Sequence, residues 1–558
     1  MRTLLTDSVP KFLLAAFLCL LFPPSTVSAR QLIVAPSGGQ YATVAGGVGA
    51  AVAGDTVRVR AGTYNEAVTF GRSGSASAYI TLLGDPGATL DGTGLSGQGI
   101  TITSVNYIRV VGMTVQNFKG SGTPMGIDVE GSSSYIELRN NLVHHIENPT
   151  GNAHGIAFYG TSATPMTNLV VAGNEIRNCR LGQSESLVLN GNVNGFTVSG
   201  NTIHDNDNIG IDFIGFEGTG PAGQDQARNG SCVGNVVYNI SSAANPTYGG
   251  DRSADGIYVD GGLGIVIERN RVDNCDIGVE VASEHGGRSA TNITVRNNFI
   301  SRGYQGNILM GGYDATRGNA VNVVVVNNTT YQGTYGEIQL QYNCNGVTLK
   351  NNILYAGAGQ PYISESGSNN TNVSVLNNMY FGASLISPGS YPDASARFVN
   401  PLFLTPLTDL HLQAVSPAID AGINLGNDAL GQPLAGATDI DGDPRLQGSA
   451  IDIGADEHPS ALLGVAEPPT ASVSLSLIAR NPVGGQTNVS YAIPSASRVT
   501  LTVYDVHGRV MDTPVAGETR QAGAHDALLH AERWPAGCYF LRLTASGGAL
   551  TRRMVVVR

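Results

Sequence analysis

Between residues 135 and 380 the chain repeats one polarity pattern, apolar-x-apolar-x-x-Asn-x-apolar, in segments such as YIELRNNLV, GFTVSGNTI, GIVIERNRV, NITVRNNFI and GVTLKNNIL. Its reference asparagines are Asn141, Asn174, Asn201, Asn235, Asn270, Asn298, Asn328, Asn352 and Asn378, spaced 24 to 35 residues apart. A repeat of that length predicts a solenoid whose coils bury their apolar faces against one another. About midway in each repeat lies a second alternation: GIDV at 126, GIAF at 155, SLVL at 186, GIDF at 210, GIYV at 256, GVEV at 278, NILM at 307 and EIQL at 337. Period two with Val and Ile enrichment means short strands with alternate side chains inward. Two or three such strands per coil make an all-β, right-handed parallel β-helix. An asparagine at one recurrent corner suits left-handed backbone, and its amide can bond to the same amide in the next coil.

Inward positions of such a wall are packing, so chemistry belongs on outward positions and in long turns. Aligning the second strands points Ile127, Ile211, Ile257 and Val279 inward. It sets Asp128, Ala157, Val188, Asp212, Tyr258, Glu280, Leu309 and Gln339 in one outward column. Glu130, Tyr159, Asn190, Ile214, Asp260 and Ala282 follow two residues on. The turns add Asp205 and Asp207 before Asp212, and Asp251, Arg252 and Asp255 before Tyr258. Long turns after the strands hold Glu217, Asp225 and Arg228, then Glu284, His285 and Arg288, then Tyr313, Asp314 and Arg317. The turn after Asp260 is short, so a notch with Asp260 on its floor is expected.

Coils stack about 4.8 Å apart, so carboxylates on neighbouring coils repel unless protonated or bridged by a cation. Calcium accepts an oxygen-only set, and Asp205, Asp207, Asp212, Asp255 and Asp260 are the candidate ligands. Tyr258, Glu284 and Tyr313 are candidate substrate contacts.

Composition supports the same class. Of 558 residues 73 are Gly, while aromatics make up 6% and charged residues 13%, which suits a turn-rich β-protein. The net charge of -12 gives neither a nucleic-acid footprint nor a general trap for an acidic polymer. An acidic ligand would need a metal ion or local arginines. Arg2 and Lys11 precede the apolar run Phe12–Phe22, and Val27 and Ala29 suit signal-peptide cleavage before Arg30. That apolar core is too short for a comfortable membrane span. The cysteines left after cleavage, Cys179, Cys232, Cys275, Cys344 and Cys538, form no CxxC and are expected as free, buried thiols.

YATVAGGVGAAVAGDTVRVRAGTYNEAVTF and AYITLLGDPGATLDG resemble the entry segment of bacterial β-helix polysaccharide lyases. There Thr43 to Ala53 would form a short amphipathic helix plugging the open end of the solenoid. The resemblance to pectate lyase-like enzymes implies β-elimination on a uronate polymer. In those enzymes calcium neutralises the substrate carboxylate and a Lys or Arg abstracts the C5 proton. This chain departs from the lysine-dependent families, because after cleavage its lysines are Lys119 and Lys350. The base would then be Arg252, Arg288 or Arg317, or else Lys119 working beside Asp128; Lys350 aligns with Arg139 and Arg296 on the other sheet.

Hydrolysis is the rival reaction, with Asp212 and Glu280 two coils apart in one column. The polygalacturonase signature is missing, and Ala-His154-Gly is a loose echo of its Gly-His-Gly; His285 is a second histidine candidate. An epimerase would share the lyase groups. A non-catalytic polysaccharide binder would carry stacked aromatics along one outward column, where Tyr159 and Tyr258 stand isolated.

Residues 401–458 read as a post-helix cap, in which Asp439, Asp441 and Asp443 of TDIDGDP are either an Asp-rich turn or calcium ligands. Residues 459–470 read as a linker. Beyond it ARNPVGGQTNVSYAIP, VTLTVYDVHGRVM, the stretch from Trp534 to Tyr539 and LTRRMVVVR resemble the C-terminal sorting domain of the type IX secretion system. That resemblance implies a small β-sandwich over 471–558, recognised by the export machinery. The expected product is a secreted or surface-held monomer that meets a polysaccharide.

Overall fold

The computed structural model describes residues 29–459 except 149, 384–388, 429 and 430, and residues 476–557 except 480–482, 484, 494, 507, 522, 546 and 547. The expected signal peptide over 1–29 and the linker over 459–470 lie, but for residues 29 and 459, outside the described residues. Two compact units divide the chain, Met1–Ala461 and Leu462–Arg558.

The first unit is a parallel β-solenoid with three sheets of 13, 13 and 11 strands, so each full coil carries three strands. The apolar-x-apolar segments make the first sheet. In Leu263–Glu268, for instance, Ile265 and Ile267 point inward and are fully buried. The residues after each asparagine make the second sheet, as in Arg271–Cys275. The midway alternations make the third, including His154–Gly160, Leu187–Gly191, Ile211–Ile214, Asp255–Asp260, Ile277–Ala282 and Gly306–Met310. One continuous apolar cluster fills the interior from Leu32 to Tyr380.

The reference asparagines form a buried ladder at the corner between the first and second sheets. Each Oδ1 accepts both the backbone N–H and the Nδ2 of the asparagine one coil earlier, as Asn235 does from Asn201 at 3.0 and 2.9 Å. Left-handed geometry belongs to a different residue than expected. It falls one position earlier, at Asn140, Gly173, Gly200, Gly234, Arg269, Asn297, Asn327, Asn351 and Asn377. The reference asparagine itself points inward, where its amide satisfies backbone groups that no water reaches. Asp393 terminates the ladder, accepting from the Asn378 N–H at 3.0 Å and its Nδ2 at 3.1 Å.

At the corner from the second to the third sheet the chain passes close to the core through Gly126, Gly155, Gly210, Gly256 and Gly278. A Cβ on Gly256 would lie 2.6 Å from Val272 Cγ1 and 2.7 Å from the Gly278 carbonyl oxygen, so no side chain fits there. The entry helix is Val44–Ala50, N-capped by Thr43, whose Oγ1 accepts from the Gly46 N–H; Val44 and Val48 are buried in the end coils.

The segment read as a cap lies against the outer side of the second sheet. Phe403, Leu410, Leu412, Ile440 and Ile453 pack with Phe299, Tyr331, Ile353 and Met379 of successive coils. The left-handed asparagines hold it in place: Asn297 Nδ2 donates to the carbonyls of Ala435 and Thr438, Asn327 to Asp452, Asn351 to Ile423 and Asn377 to Ala421. Within TDIDGDP, Asp439 Oδ1 accepts the N–H groups of Asp441 and Asp443, while Asp441 pairs with Arg271 and His411.

In the second unit two antiparallel sheets face one another. Ser476–Ala479, Gln486–Ile493 and Gly523–His530 make one; Ser497–Asp505, Val510–Arg520, Gly537–Ala545 and Gly548–Val556 make the other. Tyr491, Leu501, Val503, Leu529, Trp534, Leu541 and Met554 share a single core, which makes this unit a β-sandwich. Among the described residues the five cysteines are free, four of them buried.

Candidate functional site

Parallel pairing of the third sheet fixes a column of outward residues. Asp128 pairs with Ala157, Ala157 with Val188, Val188 with Asp212, Asp212 with Tyr258, Tyr258 with Glu280, and Glu280 with Leu309. Asp212 and Glu280 therefore flank Tyr258, one coil to either side. Asp255 and Asp260 begin and end the Tyr258 strand, and all five side chains are buried. Ala157 and Val188, covered by Met125 and Ile214, separate Asp128 from this group.

Turns bring further acids to the same place. Glu217, from the long turn after Ile214, accepts a 2.7 Å hydrogen bond from Asn190 Nδ2. Asp260 Oδ1 accepts the Glu284 N–H at 2.8 Å, so the turn after Ala282 folds over it. One donor atom each from Glu217, Asp260 and His285 lie within 4.8 Å of one another. Glu185 joins at the other edge, 3.3 Å from His154 Nδ1, and His154 Nε2 lies 2.8 Å from the Tyr159 hydroxyl. Among the described residues no lysine or arginine forms an ion pair with Glu185, Asp212, Glu217, Asp255, Asp260, Glu280 or Glu284.

This one-sided charge shapes the protonation of the floor. Burial, and after it the charges of Glu185, Asp260 and Glu217, holds Asp212 well above the usual carboxylate range. Asp255 is raised by burial and by the charge of Glu280, with which it shares a hydrogen bond, and Asp260 by burial and the charge of Glu284. Burial pushes Glu280 up to about 7. One oxygen of Asp212 and one of Asp255 are buried without a hydrogen-bond partner.

For such acids the folded chain binds more protons than the unfolded chain between the two pKa values. Their stabilising effect is full below the unfolded value and is lost as pH rises through the folded one. For Glu280 that window runs from 4.5 to about 7. The solenoid's melting temperature is expected to fall between pH 5 and pH 8, and Glu280→Gln to shallow the fall. A thermal melt series at constant ionic strength checks this, and parallel curves for the two proteins would contradict it.

Several sequence candidates stand elsewhere. Arg252 is held by Asp276 at 2.8 Å and lies over the Tyr304 ring at 3.9 Å, because its partner acid comes from the next coil. Lys119 pairs with Glu147 at 2.7 Å in the turn between the second and third sheets, rather than with Asp128. Asp205 sits at a left-handed, exposed end of a second-sheet strand, bonded to His204 and Asn239. Asp207 caps the Leu181 N–H. Arg288, over the Phe216 ring, and Arg317, over Tyr313 and bonded to the Glu284 carbonyl at 3.1 Å, stand at the rim. Tyr313 there is about half exposed.

The structure also places residues that the alignment of strands did not single out. Glu185 occupies the position just before the glycine corner, where His154 and Asp255 stand in other coils, and this offset is readable from the repeat. Tyr248 lies near Glu185, Glu284 and Asp255, and accepts from Asn208 Nδ2 at 3.2 Å. With its amide turned over, Gln341 donates to Glu280 Oε1 at 3.3 Å.

Residues 480–557 match the secretion system C-terminal sorting domain family. The protein is accordingly secreted or held at the cell surface, delivered by the secretion machinery that reads this domain. Among the described residues no helix is long and apolar enough to cross a membrane. Similar solved structures include XylC in complex with xylose, with TM-score 0.40 and 11% identity over 76% of this chain and 98% of that one. A mannuronic acid specific family 6 polysaccharide lyase from human gut microbiota has TM-score 0.33 and 13% identity over 66% and 82%. The periplasmic alginate epimerase AlgG has TM-score 0.28 and 12% identity over 60% and 78%. The uncharacterized protein YwoF of Bacillus subtilis (strain 168) is 37% identical over 379 residues, which are 63% of this chain and 80% of YwoF. With that identity over four fifths of its relative, the chain belongs to the YwoF family.

Proposed function

We propose that the acidic hollow over Asp212, Tyr258 and Asp260 is the reaction centre of a secreted polysaccharide-cleaving enzyme, which holds calcium and acts on a uronate-containing chain by β-elimination. The observation that carries this reading is a floor of buried carboxyl groups with no cationic partner and two orphaned oxygens, on Asp212 and Asp255. That donor chemistry fits a hard divalent cation, with Glu217 and Asp260 as its first ligands and Asp212 behind them. When bound, the cation offsets the charge of a substrate carboxylate and makes the adjacent carbon acid easier to deprotonate. Tyr258, kept protonated by burial between Asp212 and Glu280, supplies a proton toward the leaving oxygen. Arg317 and Arg288 remain at the rim to orient the substrate or accept the C5 proton, since Arg252 and Lys119 are committed to Asp276 and Glu147.

A second reading, inverting hydrolysis, rests on the Glu280 carboxyl, which burial pushes up to about 7 so that it can serve as a general acid near neutral pH. Asp212 lies about 9–10 Å away along the column, and its ionised form would activate water. Incubation with polygalacturonate and with alginate separates the two. Elimination gives unsaturated-uronate absorbance that a chelator abolishes and calcium restores. Reducing ends without that absorbance would overturn the first reading in favour of the second, and restoration by zinc or manganese but not calcium would make His285 a metal ligand.

A further inference from the structure

At the corner from the third to the first sheet, each coil places one residue immediately before the apolar alternation of its first-sheet strand. From Asn168 onward these residues, in register from coil to coil, are Asn168, Gly195, Asn229, Gly264, Asn292, Asn322, Gly346 and Asn372, all with positive φ. Asparagine and glycine are the residues that take this conformation with least strain. In the three preceding coils the position holds Tyr79, Tyr107 and Tyr135, and Tyr107 and Tyr135 take φ of 59° and 57°. Their rings form a column: Tyr79 meets Tyr107 edge-on at 5.5 Å, and Tyr107 stacks on Tyr135 at 4.4 Å and 15°. Bulky rings therefore occupy a backbone geometry that the rest of the same corner reserves for small, tolerant residues.

Tyr135 ends the column and is 36% exposed. Beyond it opens a groove of about 670 Å³ along the outer face of the first sheet, lined by Tyr135, Glu137, Asn168, Asn194, Thr197 and Asn229. Its polar groups are held in place: Glu137 lies between Arg109 at 2.9 Å and Arg139 at 2.7 Å, and Asn229 Nδ2 donates to Asn194 Oδ1 at 2.7 Å. An aromatic face beside fixed amides and hydroxyls, with a neutralised acid, matches a sugar ring, which offers C–H groups on its faces and hydroxyls at its rim.

We infer that this groove is an accessory binding site for a polysaccharide of equatorially hydroxylated pyranoses, stacked on Tyr135 and running along the coil axis. It lies on the first sheet, whereas the acidic hollow lies on the third, so it would hold a polymer without taking part in cleavage. Tyr107→Asn together with Tyr135→Asn installs the residue that neighbouring coils use, and keeps the fold. Native gel electrophoresis of the full chain through xylan or hydroxyethylcellulose, with a thermal melt of each protein, provides the test. The expected result is retardation of the wild type by at least one of these polymers, weakened at least tenfold in the double variant, with the melting temperature held or raised. Undiminished retardation of the variant, or a wild type that neither polymer retards, would overturn the inference. Neither outcome depends on catalysis, so Asp260→Asn, which empties the hollow of activity, is expected to retain the retardation.

Discussion

Asp260→Asn is expected to lower turnover by about two to three orders of magnitude, the usual loss when a group that organises developing charge is removed. The same substitution is expected to raise the solenoid's stability at pH 8. The two effects have one origin. Asp260 is 3% exposed, stands beside Glu217, Glu280 and Glu284, and has a pKa well above the carboxylate range, so ionising it opposes folding. Asparagine keeps the Oδ1 acceptor for the Glu284 N–H and removes the charge. Each unit of the raised pKa corresponds to about 1.4 kcal/mol of stability regained above the window. A purely structural acceptor would keep its activity on this change. Turnover measured on whichever polymer the wild type cleaves, with melts at pH 5 and pH 8, reads both effects. Asp205→Asn is the matched control: its side chain faces His204 and Asn239 at an exposed corner, and activity within a factor of two is expected. Activity of Asp260→Asn within a few-fold of wild type would remove the hollow from the chemistry.

The wall of the solenoid was legible because its side chains alternate with period two, and one correct alignment of GIDF, GIYV and GVEV sets every neighbour on that face. Asp212, Tyr258 and Glu280 fell into one column for that reason. Turn residues obey no such rule. Arg252 lies three positions before Asp255 in the chain, yet it pairs with Asp276, a coil away. Asp205 and Asp207 are close to Asp212 in number, but they end a second-sheet strand and begin the following turn, which point elsewhere. Left-handed geometry was assigned to the wrong asparagine because the two residues of each Asn–Asn pair have opposite roles, and Arg269 in the same position shows that identity alone does not mark it. The tyrosine column is readable as a Tyr-Ile step that recurs every 28 residues, at 79, 107 and 135, but it lies at the head of the first-sheet alternation and not on the outward column of the third sheet, where stacked aromatics were expected.

Asn235→Leu is expected to destabilise the solenoid more than any surface change, by about 4 kcal/mol or more. Asn235 Oδ1 accepts from the Asn201 N–H and Nδ2, and its own Nδ2 donates to the Val198 carbonyl and to Asn270 Oδ1, each at 2.9 to 3.0 Å. All of these groups are buried, and leucine leaves each without its partner, at about 1–3 kcal/mol apiece before relaxation. The ladder conducts the damage in both directions, since Asn201 and Asn270 are bonded to the asparagines on either side as well as to the Val171 and Cys232 carbonyls. Asn235→Asp tests the same physics differently. One carboxylate oxygen keeps the two bonds from Asn201, but the other faces the Val198 carbonyl and Asn270 Oδ1, which are both acceptors. The aspartate is then expected to destabilise strongly at pH 8 and less at pH 4, where protonation restores a donor. Asp393 succeeds at the end of the ladder because it meets donors only, from Asn377, Asn378 and Tyr380. Asn140→Gly, at an exposed left-handed corner, is expected to stay within about 0.5 kcal/mol of wild type. Urea unfolding followed by far-ultraviolet circular dichroism gives the comparison, and equal midpoints for Asn235→Leu and Asn140→Gly would mean that stacked inner strands alone, without the amide ladder, hold the coils in register.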